Sequence, residues 1–268
     1  MQVYNKKYYL AVSAIFVSVL LSACATSPTG RNQILLFTES QLANSGSQAF
    51  AAMKTQQKIS SKRVTNNYVQ CITSAITKQV SEDIFSGDWE VVVFDDPAAN
   101  AFALPGGKIG VYTGLLEIAD SQAQVASVIG HEVGHVIAQH GNERMSQSQL
   151  IGIGQQVVNQ VLATNEVAGS QAIMSALGLG IQVGISLPYS RIHESEADLI
   201  GLDLMARAGF DPRESVKLWE NMSKNEGGSR QPEFLSTHPA PQTRIEQLQS
   251  NMDSAMTIYQ AAANKPKC

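Results

Sequence analysis

His131, Glu132 and His135 stand in the run His131-Glu132-Val133-Gly134-His135, a spacing that suits metal chemistry. On a helix, residues four apart lie about 40° from one another around the axis and one turn apart along it. Two imidazoles placed this way can hold one Zn²⁺ between them at roughly 2.0–2.1 Å each. Glu132 points to the side, where a carboxylate can take a proton from a water at the metal without ligating the metal itself. All three sit among apolar neighbours, where polar groups without partners are costly. A solvated polar face is therefore a poor account of them.

The surrounding residues supply the helix. Val125, Val128, Ile129, Val133, Val136 and Ile137 recur at helical spacing between Asp120 and Gly141. Ser121 with Gln124 reads as a capping box, and Gly141 as the stop. His140 falls off the face shared by His131 and His135. Upstream, Trp89 to Phe94 is rich in β-branched and aromatic residues and ends at Asp95-Asp96-Pro97, which predicts a strand and a turn. Asn100 to Gly114 reads as two short strands joined at Pro105-Gly106-Gly107. Helices are expected from Ser40 to about Ile59 and from Thr65 to Val80, packed around this core.

Downstream, Glu166 is the only charged residue between Met145 and Ser190. Leu150 to Ala163 and Ile173 to Leu187 read as two helices, packed on the body or covering the cleft. Each is too short and too polar to span a bilayer. Glu194 and Asp198 are one helical turn apart and share a face. Glu196 points elsewhere and is expected to be solvated or paired with Arg191, and His193 points about 100° from Glu194. That helix runs to about Ala208, and Asp211-Pro212-Arg213-Glu214 opens another. A loop rich in Gly, Ser and Pro follows Lys224, and a last helix starts near Thr243.

Residues 1–23 read as an export signal. Lys6 and Lys7 precede an apolar stretch, Leu10 to Leu21, that is too short for a comfortable span. Leu21-Ser22-Ala23-Cys24 resembles the lipobox of bacterial lipoproteins, which implies that Cys24 is acylated. Ala25 stands where an Asp would favour inner-membrane retention, so the resemblance implies an anchor in the outer membrane of a Gram-negative cell, facing the periplasm. Residues 24–38 are then the acylated N-terminus and a tether, and 39–268 a single domain with a sizeable core. The formal charge is −4, and loss of Lys6 and Lys7 takes it to −6. With no basic patch, nucleic acid is not expected as a partner. With Cys24 acylated, Cys71 and Cys268 remain in an oxidising compartment, and parity predicts a disulfide between them.

Asn100-Ala101-Phe102-Ala103-Leu104-Pro105-Gly106-Gly107, the Gly114-Leu115-Leu116 step and His131 to His135 together resemble the zinc metallopeptidase family of HtpX, BepA, LoiP and the CaaX prenyl proteases. The likeness covers roughly Ser27 to Gln249. It implies a gluzincin-type α+β fold: a mostly helical metallopeptidase domain with a small β-sheet beside the metal helix. Within Glu194-Ser195-Glu196-Ala197-Asp198 it implies that Glu194 is the third ligand. Asp198 would orient a ligating histidine through its second nitrogen. The strand Asn100, Ala101, Phe102, Ala103 and Leu104 would hold an extended substrate by main-chain hydrogen bonds. His238-Pro239 with Arg244 matches a further family pattern. Arg244 would close the cleft by pairing with a carboxylate, or stabilise an anionic transition state.

These residues predict a zinc metalloendopeptidase. His131, His135 and Glu194 would hold one Zn²⁺ with a fourth position open to water, and Glu132 would act as general base. Unfolded or extended stretches of misfolded or unassembled envelope proteins are the expected substrates, with the outer-membrane assembly machinery a candidate partner. The alternative is a chaperone or assembly factor for outer-membrane proteins in which zinc is mainly structural. His238, held extended before Pro239, is expected either to be a removable fourth ligand that keeps the enzyme latent or to donate to the oxyanion.

Overall fold

The computed structural model describes residues 24–182, 186–224, 234, 238 and 242–268. The export signal read in residues 1–23 lies outside the described residues. Strands β1 (Cys24–Thr26) and β2 (Asn32–Ile34) pair antiparallel, with Cys24 opposite Ile34. The stretch read as a tether is thus a folded hairpin. Its turn needs Gly30, whose φ of +88° is a conformation open to glycine at little cost.

Helix α1 (Glu39–Gln56) starts at Thr38, which forms a complete capping box with Gln41. Helix α2 (Arg63–Thr77) buries Val69, Ile72 and Ile76. Three strands follow: β3 (Glu90–Phe94), β4 (Ala101–Leu104) and β5 (Lys108–Tyr112). The sheet order is β3-β5-β4, with β3 parallel and β4 antiparallel to β5. One margin of β4 is therefore left unpaired by any strand among the described residues. A short helix α3 (Thr113–Ile118) then delivers the chain to α4 (Gln122–Ile137).

Both expected ends of α4 are corrected in detail. Ser121 Oγ accepts the Gln124 N–H at 3.3 Å, but Gln124 Oε1 takes the Asp120 N–H at 2.9 Å, so the box is half made at Ser121. Gly141 is not the stop. The chain leaves α4 at Ala138, turns through Gln139 in the left-handed region at φ 54°, and enters α5 (His140–Thr164) at once. Helix α5 buries only residues near its start, and α6 (Ser170–Ile181) buries none. Val157, Val161 and Leu179 are exposed along this pair. No helix among the described residues is long and apolar enough to cross a membrane.

The chain ends in α7 (Leu187–Arg207), α8 (Arg213–Lys224), α9 (Gln242–Ser250) and α10 (Met252–Ala261), so the single last helix expected from Thr243 is two. The architecture is mostly helical α+β, its core centred on Ile72, Ile109, Val125, Ile129, Met205 and Phe210. A disulfide joins Cys71 on α2 to Cys268 across 197 residues, with the two Cα atoms 5.6 Å apart.

Helices α4 and α7 meet along a seam of small residues. A Cβ placed on Gly201 would lie 2.7 Å from the His131 nitrogen, and one on Gly134 would lie 2.9 Å from the Ala197 oxygen. Only hydrogen fits there. The two backbones come close enough for side chains from both helices to converge on one point.

Candidate metal centre

Four donors converge between α4, α7 and residue 238. Ligating atoms of His131, His135, Glu194 and His238 all lie within 4.8 Å of one another. His131 Nε2 is 3.1 Å from His135 Nε2 and 3.2 Å from His238 Nδ1. Glu194 places Oε2 3.3 Å from His131 Nε2 and 2.9 Å from His238 Nδ1, and Oε1 3.4 Å from His135 Nε2. Ligands bound at 2.0–2.1 Å to a tetrahedral zinc stand about 3.3 Å apart, so this set has the edge lengths of such a site. His131, His135 and Glu194 are buried, and the His238 side chain is 12% exposed.

The electrostatics ask for a cation. Burial works against a charged His131, but bonds and attraction from Asp198 and Glu194 outweigh it and lift its pKa to about 9. Burial drives His135 well below its ordinary value, with the charge on His131 adding to the effect. Burial likewise opposes ionised Glu194, yet His131, His135 and His238 hold its carboxyl far below the usual range. Three imidazoles and a carboxylate gathered at this spacing are nitrogen and oxygen donors of the kind zinc takes. The donor set therefore fits a zinc-like metal.

Asp198 lies behind His131, on the side away from the centre. Its Oδ1 accepts from His131 Nδ1 at 2.9 Å, which leaves Nε2 as the nitrogen facing the centre. Arg244, from α9, is completely enclosed. It donates from Nε to Asp198 Oδ2 at 2.6 Å and from Nη2 to Oδ1 at 2.7 Å, and its Nη1 is 3.1 Å from Glu194 Oε2. The guanidinium also lies 4.4 Å over the Trp219 ring. Of the two roles expected for Arg244, the geometry supplies carboxylate pairing. It positions, and the reacting centre is reached through Asp198 and Glu194.

Glu132 projects from α4 toward the sheet. Its Oε2 accepts the Ala103 N–H of β4 at 3.0 Å, while Oε1 is buried without a hydrogen-bond partner among the described residues, 3.4 Å from His238 Nε2. The five expected substrate-strand residues divide. Ala101 is buried in the core, and Phe102 packs in an aromatic cluster with Phe50, Phe94 and Tyr112. Asn100 keeps a buried Oδ1 without a hydrogen-bond partner among the described residues. Ala103 and Leu104 border a cavity of about 580 Å³ that His135, Leu42, Phe85 and Met145 also line.

One sequence reading is overturned on the far side of His135. Glu196 is neither solvated nor paired with Arg191: it is buried, and it accepts from Arg31 Nε at 3.1 Å and Nη2 at 3.0 Å. His140 does lie off the ligand face, yet it packs behind that face, its Nδ1 2.8 Å from His135 Nδ1 and its Nε2 3.0 Å from Glu196 Oε2. Arg31 also forks onto Glu143, at 2.7 Å to each oxygen, and His193 bonds Glu143 at 2.9 Å. Sequence reasoning missed Arg31, whose one signal is that no other basic residue stands between Cys24 and Lys54.

Comparison with known proteins agrees with this centre. Residues 63–252 match the model of peptidase family M48. Mitochondrial metalloendopeptidase OMA1 of Saccharomyces cerevisiae is 36% identical over 222 residues, 77% of this chain and 62% of that protein. OMA1 of Arabidopsis thaliana is 45% identical over 173 residues, 64% of this chain and 33% of that protein. The β-barrel assembly-enhancing protease of Escherichia coli K12 is 32% identical over 151 residues, 54% of this chain and 31% of that protein. The chain thus spans less than two thirds of the length of these relatives. It belongs to peptidase family M48.

Proposed function

We propose that this M48 chain is a zinc metalloendopeptidase that cuts extended stretches of misfolded or unassembled envelope proteins, anchored by an acylated Cys24 in the outer membrane and facing the periplasm. One observation carries the catalytic reading: beside four convergent donors stands Glu132, with a buried Oε1 that has no hydrogen-bond partner among the described residues. A purely structural centre has no use for such a group. Zinc, when bound, would supply polarisation of the scissile carbonyl and acidification of water. Glu132 takes the proton of the attacking water and passes it to the leaving amine. Asp198 holds His131 in the tautomer that presents Nε2.

The free margin of β4 gives an extended peptide backbone partners without reading its sequence. Glu132 occupies the Ala103 N–H in the meantime. A substrate laid along this margin would pass the cavity beside Leu104, whose apolar lining suits a large apolar side chain. His238 is the removable fourth ligand, presenting Nδ1 to the centre. The envelope assignment is supported by the lipobox-like Leu21 to Cys24, and by a relative whose name refers to β-barrel assembly. That relative also motivates the outer-membrane assembly machinery as a partner.

A second reading, an assembly factor with structural zinc, would account for a set of four donors, since closed sites are usually structural. Casein digestion with and without chelator, beside a Glu132→Gln variant with its zinc content measured, separates the two. The protease reading expects cleavage by the wild type, none after chelation, and none from Glu132→Gln with one zinc retained. Equal cleavage by both proteins defeats the mechanism. A zinc-loaded wild type that cuts nothing but keeps casein from aggregating favours the assembly factor. Cys24→Ser should move the protein from the membrane to the soluble fraction, and unchanged partition removes the anchor.

A further inference from the structure

We propose that Arg31, carried by the β1–β2 hairpin, is a positioning residue of the metal centre: acting through Glu196 and His140, it fixes the tautomer and orientation of His135. The inference rests on reading the four donors as a metal site.

The hydrogen-bond directions leave little choice. His135 turns Nε2 to the centre, 3.1 Å from His131 Nε2, so its proton belongs on Nδ1. That N–H meets His140 Nδ1 at 2.8 Å, which must accept. His140 then carries its own proton on Nε2 and donates it to Glu196 Oε2 at 3.0 Å. Glu196 is held in turn by Arg31 Nε and Nη2, and by the Thr29 hydroxyl from the same hairpin. Every atom along the line has one role, and a reversed His140 would set two N–H groups head to head.

The line has a counterpart. On the other ligand, His131 Nδ1 donates to Asp198 Oδ1, and Asp198 is gripped by Arg244. Each of the two imidazoles on α4 is thus backed by a carboxylate held by an arginine, with His140 inserted on the His135 side to cover the extra distance. Arg244 comes from α9, near the end of the chain, whereas Arg31 comes from the hairpin seven residues after Cys24. The hairpin aims Arg31 inward: Ser27 donates its N–H to the Arg31 carbonyl at 2.8 Å across the Gly30 turn. His140 is further wedged by His193, whose ring stacks on it at 4.3 Å.

Zinc affinity, measured by competition with a chromophoric chelator on the full chain, tests this beside the thermal midpoint of the metal-free protein. Groups that orient a ligating histidine are worth about 10–100-fold in metal affinity. Arg31→Ala and His140→Phe should each weaken zinc by that range, and the double variant should lose no more than the larger single one, because both act on one line. Asp198→Asn added to either should multiply the loss, because it acts on the other ligand. Arg31→Lys, which keeps the charge but not the fork, should recover part of the affinity. Should Arg31→Ala not fold, Arg31→Gln keeps a long polar chain in the hairpin and carries the same expectation. Affinity within about two-fold of wild type in the folded Arg31 variant, or fully multiplicative losses for Arg31 and His140, overturns the proposal. Failure of the metal-site reading looks different: the wild type itself would bind no stoichiometric zinc.

Discussion

Nε2 of His238 stands 3.4 Å from Oε1 of Glu132, while Nδ1 of the same ring lies 2.9 Å from Glu194 Oε2 and 3.2 Å from His131 Nε2. One imidazole thus fills the fourth corner of the donor set and lies against Oε1 of the proposed base. A ring in that place blocks both water and proton transfer. His238→Ala should therefore raise casein cleavage and self-cleavage. If His238 instead donates to the oxyanion, the same change should lower turnover by roughly 10²–10³-fold. No change in either direction removes His238 from the chemistry.

Breaking the Arg244–Asp198 fork should cost both metal and fold. Arg244→Ala leaves the buried Asp198 carboxylate with His131 alone, and stranded buried charges cost about 3–5 kcal/mol. Urea unfolding of the metal-free variant reads that loss. Asp198→Asn should weaken zinc by about 10–100-fold.

Gly201→Ala tests the α4–α7 seam. The added methyl would press on the His131 backbone at 2.7 Å, where neither helix can yield locally. Overpacking of this kind costs about 1–3 kcal/mol. It should also push Glu194 from the two histidines, so weaker zinc binding is expected with every ligand intact. Wild-type stability and affinity in this variant would show that the helices can part freely.

Glu143 sets an acid limit on the docking of the N-terminal hairpin. Burial favours its neutral form, but His193 and the Arg31 fork outweigh that and bring its pKa down to about 2. A carboxyl lowered in the fold stabilises it fully above the ordinary value of 4.5 and loses that stabilisation as pH falls through the folded value. The wild type should exceed Glu143→Gln in thermal midpoint by a constant margin from neutral pH down to about pH 5. The margin should shrink below that and vanish near pH 2. A margin independent of pH across this window contradicts the pairing.

His131, Glu132 and His135 were legible in the sequence because one helix carries all three, and helical geometry fixes their mutual angles without help from the rest of the chain. The aromatic and β-branched runs of β3 and β5 were legible for a similar reason, since their composition is local. Glu194 and Asp198 could be placed on one face of α7, but a ligand role came only from family resemblance. What the sequence could not show is whatever depends on a second element. Glu196 lies two residues, or about 200° of helix, from Glu194, so it points to the opposite flank of α7. Whether that flank meets water or a partner depends on where the β1–β2 hairpin docks. Likewise His140 reaches His135 only because Gln139 takes the left-handed conformation and turns the chain back, where sequence reasoning had placed a stop at Gly141. Arg31 stands 165 residues from Glu196 and 112 from Glu143. No local period encodes such a pairing. It exists because burying two carboxylates and two imidazoles together requires a cation, and only the tertiary fold decides which one comes.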